Sequence, residues 1–399
     1  MRLCEDEGIF LPVRVGSHEP GAGVEFSVCP GKGIPLDALS RQRFGADLPT
    51  SPELGRYRAL WACHSTDGQI LAAASSGGVM THVACHMLES GMVDGVTVAT
   101  FVRGTRGPRT LSTIARSRSA LLASQGSKYC PTTTNLLIRE CKRQGGRYLF
   151  LGTPCQVGAL YLAIGQDQSL ASVFPYSMAN FCGGYRDFRY LDGMLSADGM
   201  DPSRAVQFAF RGGGWPGKML ATSDDGRQVV QDYPDYRSHA LVNKQRRCTL
   251  CIDGTGLLAD FACGDAWLER FPRGTPGWSI VVARSAFAAD IVESMQSKGL
   301  LHTEAISHEE VLRSQRFNLR SKIYRQQKRM RVFGILGIPC PTYDVRLPES
   351  DTSYWQELRV IVLKTKPMLY LRVGFRRTPA GEFVARIVRF LRSLRSRRV

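Results

Sequence analysis

Acidic residues are in short supply in this chain: 35 Asp and Glu stand against 52 Lys and Arg over 399 residues, for a formal net charge of +17. An anionic partner of some kind is therefore expected: nucleic acid, anionic lipid, an acidic substrate or an acidic protein. Long apolar runs are also missing, and none reaches the roughly 18 residues that cross a bilayer. The opening Met1-Arg2-Leu3-Cys4-Glu5-Asp6-Glu7 lacks the apolar core of a secretory signal, so the cytoplasm is the expected compartment. There is no internal repeat, no low-complexity tract outside an Arg-rich tail, and no motif of a nucleic-acid-reading module, which makes nucleic acid the least expected of the four partners.

What remains is ordinary globular material, 43% hydrophobic and 22% charged, with enough chain for two or three domains. Residues 1–60 read as loops with short strands. From Tyr57 the pattern sharpens: a strand to Cys63, a Ser75-Ser76-Gly77-Gly78 turn, then apolar positions 79, 80, 83, 84, 87 and 88 at helical spacing. Gly91 closes that helix, and Val93 to Ala99 is a β-branched strand. A second unit follows, with a helix from Asn135 to Gln144, a strand Arg147–Leu151, and a helix from Gln156 to Ile164. Residues 205–285 read mostly as β, with a hairpin tip at Asp224-Asp225-Gly226; helices return near 285–298 and 308–330. The expected class is α/β, a mixed sheet with strand-turn-helix units in the N-terminal half and a β-rich C-terminal portion with peripheral helices.

The 12 cysteines are expected as thiols, metal ligands or catalytic groups in a reducing compartment. Cys63, Cys85, Cys130 and Cys141 lie in apolar or helical stretches and read as small core residues. Four others stand in short, unusual settings: Gly152-Thr153-Pro154-Cys155-Gln156, Phe181-Cys182-Gly183-Gly184, and Cys248-Thr249-Leu250-Cys251-Ile252-Asp253-Gly254. Four thiolates suit a [4Fe–4S] cluster or a structural zinc, and neighbouring glycines let backbone N–H groups approach the sulfurs. Intervals of 27, 66 and 3 residues are not the compact ferredoxin run, so cluster, zinc and inert thiols all stay open on spacing alone.

Taken in order, Ser75-Ser76-Gly77-Gly78-Val79, Leu88-Glu89-Ser90-Gly91-Met92-Val93-Asp94-Gly95, Ser127-Lys128-Tyr129, the three cysteine motifs and Ala259-Asp260-Phe261-Ala262-Cys263-Gly264-Asp265-Ala266-Trp267 resemble the coenzyme F-420 hydrogenase/dehydrogenase beta-subunit family over roughly residues 57–285. The resemblance implies a flavin and iron–sulfur oxidoreductase that passes electrons between a two-electron carrier, such as the deazaflavin coenzyme, and one-electron centres. Carried over by position, Cys155, Cys182, Cys248 and Cys251 would hold the cluster, with Cys263 in reserve. Ser75, Ser76, Gly77, Gly78, Thr81, Lys128 and Tyr129 would bind FAD: a helix N-terminus with Gly-exposed amides suits phosphate, and Lys128 would add charge to a pyrophosphate. On turn chemistry alone, the same residues are an ordinary strand–helix turn and a surface lysine. The implied division is an irregular 1–56 segment, the remnant of a ferredoxin-like region; an α/β domain over 57–150; a cysteine-bearing domain over 151–335; and a basic extension over 336–399. Many relatives carry CxxCxxC runs near the start, whereas only Cys4 and Cys29-Pro30 are found here. A second cluster is therefore expected to be absent or incomplete. No general acid or base is assigned.

His82 and His86 share a helix face at i, i+4 with His64 nearby, and without a carboxylate pattern they are expected to be packed or solvated. In the tail, Phe383, Val384, Ile387, Val388, Leu391 and Leu394 fall on one helical face and Arg386, Arg389, Arg392 and Arg395 on the rest. That pattern suits a membrane surface or an acidic partner docking through 383–398, or a helix packed on the domain. The rival functional reading is a zinc-stabilised or redox-inactive accessory protein, peripheral to a membrane and linked to surface polysaccharide synthesis.

Overall fold

Five short apolar segments with alternating or continuous burial form the middle of the molecule, and their connections set where a ligand can sit. The computed structural model describes residues 1–13, 24–234, 244–274 and 276–358. Its main strands and helices, in chain order, are β1 (Ala59–Ser65), α1 (Val79–Glu89), β2 (Gly95–Arg103), β3 (Pro108–Ala115), β4 (Tyr148–Gly152), α2 (Pro154–Gln166), β5 (Tyr176–Asn180), α3 (Phe188–Ala197), β6 (Ala205–Gly212), β7 (Lys218–Ser223), β8 (Gln228–Asp232), β9 (Phe261–Asp265), β10 (Ser279–Ala283), α4 (Ala286–Ser297), β11 (Leu301–Ala305) and α5 (Gln326–Ile335).

Eight strands make one sheet in the order β11-β1-β10-β9-β5-β4-β2-β3. β2, β4, β5 and β9 run parallel, and antiparallel strands flank them on both sides. The parallel strands are buried on both faces, as such strands require. Leu149, Met178, Phe261 and Val281 point into one core with Val83 and Met87 of α1 and Val292 and Met295 of α4. Tyr148, Phe150 and Ala179 point the other way, against Val157, Leu160 and Tyr161 of α2. A second sheet, β6-β7-β8, packs Phe210, Met219 and Val229 on Phe188, Leu191 and Leu195 of α3. The mixed α/β class read from the sequence is the one found.

The N-terminal segment is more ordered than its composition suggests. Arg2–Cys4 and Ile9–Leu11 pair as a hairpin, with Phe10 edge-on to Phe188 at 5.9 Å. Leu36–Phe44 is a helix burying Leu36, Ser40 and Phe44, one spaced stripe that its Arg-rich sequence hides. The helical run expected over 308–330 is broken into His308–Ser314, Arg316–Leu319 and a π-helical turn Arg320–Tyr324 before α5. The amphipathic pattern of 383–398 lies outside the described residues. Among the described residues no helix is long and apolar enough to cross a membrane.

Candidate functional site

The parallel order places the carboxyl ends of β4, β5 and β9 side by side, the position where open α/β sheets hold ligands. Two of the four singled-out cysteines follow these ends directly. β4 ends at Gly152, Thr153 is the N-cap of α2 with Pro154 at its first position, and Gln156 Oε1 accepts the Thr153 N–H at 2.9 Å. This local chemistry puts Cys155 in the first turn of α2, with its Sγ 3.3 Å from Thr153 Oγ1. After β5, Phe181 N donates to Cys263 O and Cys182 N donates to Gly254 O at 2.9 Å, which ties the Cys182 loop to the Cys248–Gly254 segment. Gly184 sits at φ +100°, where an added Cβ would lie 2.5 Å from Lys244 Cε and 3.0 Å from Cys248 Cβ. Its N–H donates to Cys182 Sγ at 3.3 Å.

The Cys248–Gly254 loop is anchored from behind by buried polar groups. Asp253 is buried and accepts the N–H groups of Thr255, Gly256 and Leu257 at 2.7–3.2 Å. Burial raises the Asp253 carboxyl despite these bonds and Arg284. Arg284, fully buried, donates to the carbonyls of Leu54, Arg56, Thr255 and Gly256. Burial pulls its guanidinium down to about 10, against the pull of Asp253. From α5, Gln326 and Arg329 donate to Thr249 O at 2.9 and 3.0 Å, and Glu357 Oε2 accepts from Arg329 at 2.8 Å.

Cys155, Cys182, Cys248 and Cys251 thereby share one neighbourhood. Burial pushes the Cys182 thiol up to about 12, helped by Cys248 and Cys155 and opposed by Lys322. Cys251 is raised by burial and by Cys155, Asp253 and Cys248, again against Lys322. Burial also pushes Cys248 up, but Arg247, Lys322, Lys244 and the Tyr185 N–H outweigh it and leave this thiol below its ordinary value. Crowding of this kind lets one thiolate form and resists the rest until a cation offsets them. Arg247 Nη2 reaches Cys155 Sγ at 3.5 Å, and the Lys322 ammonium interacts electrostatically with Cys251, Cys182 and Cys248. Soft sulfur donors, two convergent cations and a Gly184 turn with no room for a side chain fit a tetrathiolate centre of net negative charge. Among the described residues, however, no group of three or more His, Cys, Asp and Glu side chains stands close enough together, as placed, to hold a metal ion. Cys263 lies within β9 in the α1-facing core, its thiol pushed up to about 12 by burial. Cys63, Cys85, Cys130 and Cys141 are buried.

The residues assigned to a flavin also converge. Ser75 Oγ accepts the Ser127 N–H at 2.9 Å, joining the Ser75–Gly78 turn to Lys128. Ser76 Oγ donates to Trp278 O at 2.8 Å and Gly77 N donates to Ser279 Oγ at 3.0 Å, so both groups are engaged in seating the turn on β10. An added Cβ on Gly77 would stand 2.4 Å from Cys63 O. Gly78, at φ +72°, is the N-cap of α1, and no side chain caps that helix; Thr81 lies in its first turn. Lys128 is no surface lysine: its Nζ donates to Ser124 O, to Gln125 O at 2.8 Å and to Gly126 O at 3.0 Å. Burial pulls its ammonium down to about 8, against a slight upward pull from Cys130. Lys128 and Gln125 line a cavity of about 250 Å³ shared with Phe101, Arg103 and Phe208. Gln125 Oε1 is buried without a hydrogen-bond partner among the described residues. Tyr129 O accepts the Arg186 N–H at 3.0 Å, so the chain just after the Cys182 loop is tied to the Lys128 region.

Sequence reasoning passed over the groups that join these parts. Arg211, buried, makes a two-bonded pair with Asp265 at the end of β9, both contacts 2.9 Å, and hydrogen-bonds Tyr129. Trp215 Nε1 donates to Asp265 Oδ1 at 2.9 Å, and Trp215, Trp267 and Tyr233 pack together with centroids 4.6 and 5.4 Å apart. The Ala259–Trp267 motif contained Asp265 and Trp267, but the partners of Asp265 lie 50 and 54 residues away. Of the histidines, His82 Nδ1 meets Ser65 Oγ at 2.9 Å, and His64 stacks on His302 at 5.0 Å.

Known proteins align with this arrangement. Two family models, one for the N-terminal part and one for the C-terminal part of the coenzyme F420 hydrogenase/dehydrogenase beta subunit, match residues 60–139 and 145–309. An uncharacterized protein of Methanocaldococcus jannaschii is 28% identical over 219 residues, 53% of this chain and 56% of that one; the chain thus spans little more than half the length of that relative. The coenzyme F420 hydrogenase subunit beta of Methanococcus voltae is 25% identical over 264 residues, 63% of this chain and 86% of the relative. In three dimensions the chain resembles one in the F420-reducing [NiFe] hydrogenase complex of Methanosarcina barkeri, with a TM-score of 0.58 and 20% identity over 75% of this chain and 99% of that one. The chain belongs to the coenzyme F420 hydrogenase/dehydrogenase beta-subunit family, a family of oxidoreductase type.

Proposed function

We propose that this protein is a flavin- and [4Fe–4S]-dependent electron-transfer subunit, exchanging electrons between a two-electron carrier of the coenzyme F420 kind and a one-electron partner protein. The observation that carries the reading is the convergence of Cys155, Cys182, Cys248 and Cys251 at the carboxyl ends of parallel strands, with Arg247 and Lys322 turned onto their sulfurs. Bound there, a cubane would supply one-electron chemistry, and a flavin would supply the step between paired and single electrons. The chain's own part is to hold four thiolates against their mutual repulsion and to keep the Cys182 loop next to Tyr129. Lys128 would sit beside the flavin's phosphates, where a half-buried ammonium held by three carbonyls has charge left to match. Twelve free cysteines suit a reducing cytoplasm.

The test is anaerobic purification of the full chain with iron, acid-labile sulfide, zinc and flavin measured per chain. About four iron, four sulfide and one flavin are expected for a cubane with its flavin partner. Stoichiometric zinc without flavin would replace this reading with that of a structural relative without redox chemistry.

A further inference from the structure

Lys322 is 2% exposed, and among the described residues no carboxylate lies within ion-pair distance of it. A lysine is almost never buried so completely without an anionic partner. It is presented by the π-helical turn Arg320–Tyr324, a rare geometry that recurs at functional sites, and Ser321 O, freed there, accepts from Gln326 and Arg329 at 3.2 and 3.0 Å. Its stem packs against the backbone of Gly254, where an added Cβ would meet Lys322 Cγ at 3.4 Å. Its Nζ lies 3.5 Å from Cys248 O, and its charge interacts with the thiols of Cys251, Cys182 and Cys248. Arg247 reaches Cys155, another of the same four thiols, at 3.5 Å.

We propose that Lys322 is a positioning residue that sets the reduction potential of the cysteine-held centre, by keeping a fixed positive charge in its wall. The proposal rests on the cluster reading above. A cubane with four thiolates carries about two negative charges oxidised and about three reduced. One electron enters the iron–sulfur core, no bond breaks, and Lys322 keeps its proton. A buried cation favours the more negative state because little solvent screens it. A zinc tetrathiolate has no second charge state, so it would gain nothing from this arrangement beyond binding.

The experiment uses the full chain, purified anaerobically, as wild type, Lys322→Gln and Lys322→Arg. Iron and sulfide are counted, then each sample is titrated reductively and followed by electron paramagnetic resonance. Lys322→Gln is expected to lower the equilibrium constant for one-electron reduction at least tenfold, about 59 mV for a single electron, while Lys322→Arg stays within about threefold of wild type. If Gln loses iron and Arg keeps it at the native potential, the charge is again what matters. An unchanged potential in an iron-replete Gln variant overturns the proposal, as does iron loss in both variants, which would make Lys322 a packing residue. Zinc or no metal in the wild type is seen before any substitution and removes the cluster reading itself.

Discussion

Cys155 and Cys85 are both cysteines near a helix, yet they should behave oppositely. Cys155 is partly accessible and faces Arg247; Cys85 is buried in α1 against the sheet, its thiol pushed up to about 11 by burial. Cys155→Ala is expected to abolish bound iron, and Cys85→Ala to leave it at the wild-type level. Equal iron in wild type and Cys155→Ala would sink the ligand assignment. Lys128 allows a pH test. Its value drops from an ordinary 10.5 to about 8 on folding, so both states hold the proton below pH 8, and the unfolded chain holds more of it between pH 8 and 10.5. Stability relative to Lys128→Met should therefore rise with pH across that window. An adjacent phosphate would restore the folded-state value and flatten the rise, so thermal melts with saturating FAD should show a shallower slope than melts without it. A slope that FAD does not alter would remove Lys128 from the flavin site. Short motifs single out the cysteines and Lys128 as candidates. Lys322 is not singled out, because it sits in an ordinary helical run and gains its meaning from Cys251, 71 residues away in sequence.

Among the elements, the strand-turn-helix units were legible because each is written locally: the apolar spacing from position 79 and the closing Gly91 mark the helix Val79–Glu89, and Asp224-Asp225-Gly226 joins β7 to β8 as the hairpin tip. Their assembly was not legible. β1 pairs with β10 and β11, more than 200 residues later, so the two ends of the family region share one sheet, and nothing in either segment's pattern names its partner. The π turn at Arg320–Tyr324 was hidden for a similar reason, since its Ser321 carbonyl is satisfied by Gln326 and Arg329 of α5. Adjacent glycines in the Cys182 loop separate local from long-range demands. Gly183 has its nearest prospective contact at 3.5 Å, Asn318 Oδ1, whereas Gly184 combines φ +100° with prospective contacts at 2.5 and 3.0 Å. Gly184→Ala should cost about 1–2 kcal/mol in left-handed backbone strain alone and push the Cys248 loop away, so both the thermal midpoint and the iron content should fall. Gly183→Ala should keep both near wild type. Loss of iron in the two variants alike would mean that the loop tolerates no side chain anywhere, and the specific role of Gly184 would be lost.

At the scale of the whole molecule, the question is whether a centre bound at the cysteines would hold the fold or the fold would hold the centre. The eight-stranded sheet has cores on both faces, and the Cys248–Gly254 loop already has protein anchors in Asp253, Arg284, Gln326 and Arg329. A bound centre would add one link, between the ends of β4 and β5 and that loop, and would stabilise the folded state only through that link. Amide hydrogen exchange on metal-loaded and metal-stripped protein measures this directly. Stripping should raise exchange at least tenfold, about 1.4 kcal/mol of local opening, in residues 182–186 and 246–254. Protection in β4, β5, β9 and β10 should stay unchanged, because their hydrogen bonds and side-chain packing do not pass through the thiols. If the central strands lose protection together with the loops, the metal is part of the folding free energy, as it is for structural zinc. That result would favour the accessory-protein reading over electron transfer. A scaffold that survives stripping is instead what a redox subunit needs, since a site that changes charge with each electron works best in a frame that does not move with it.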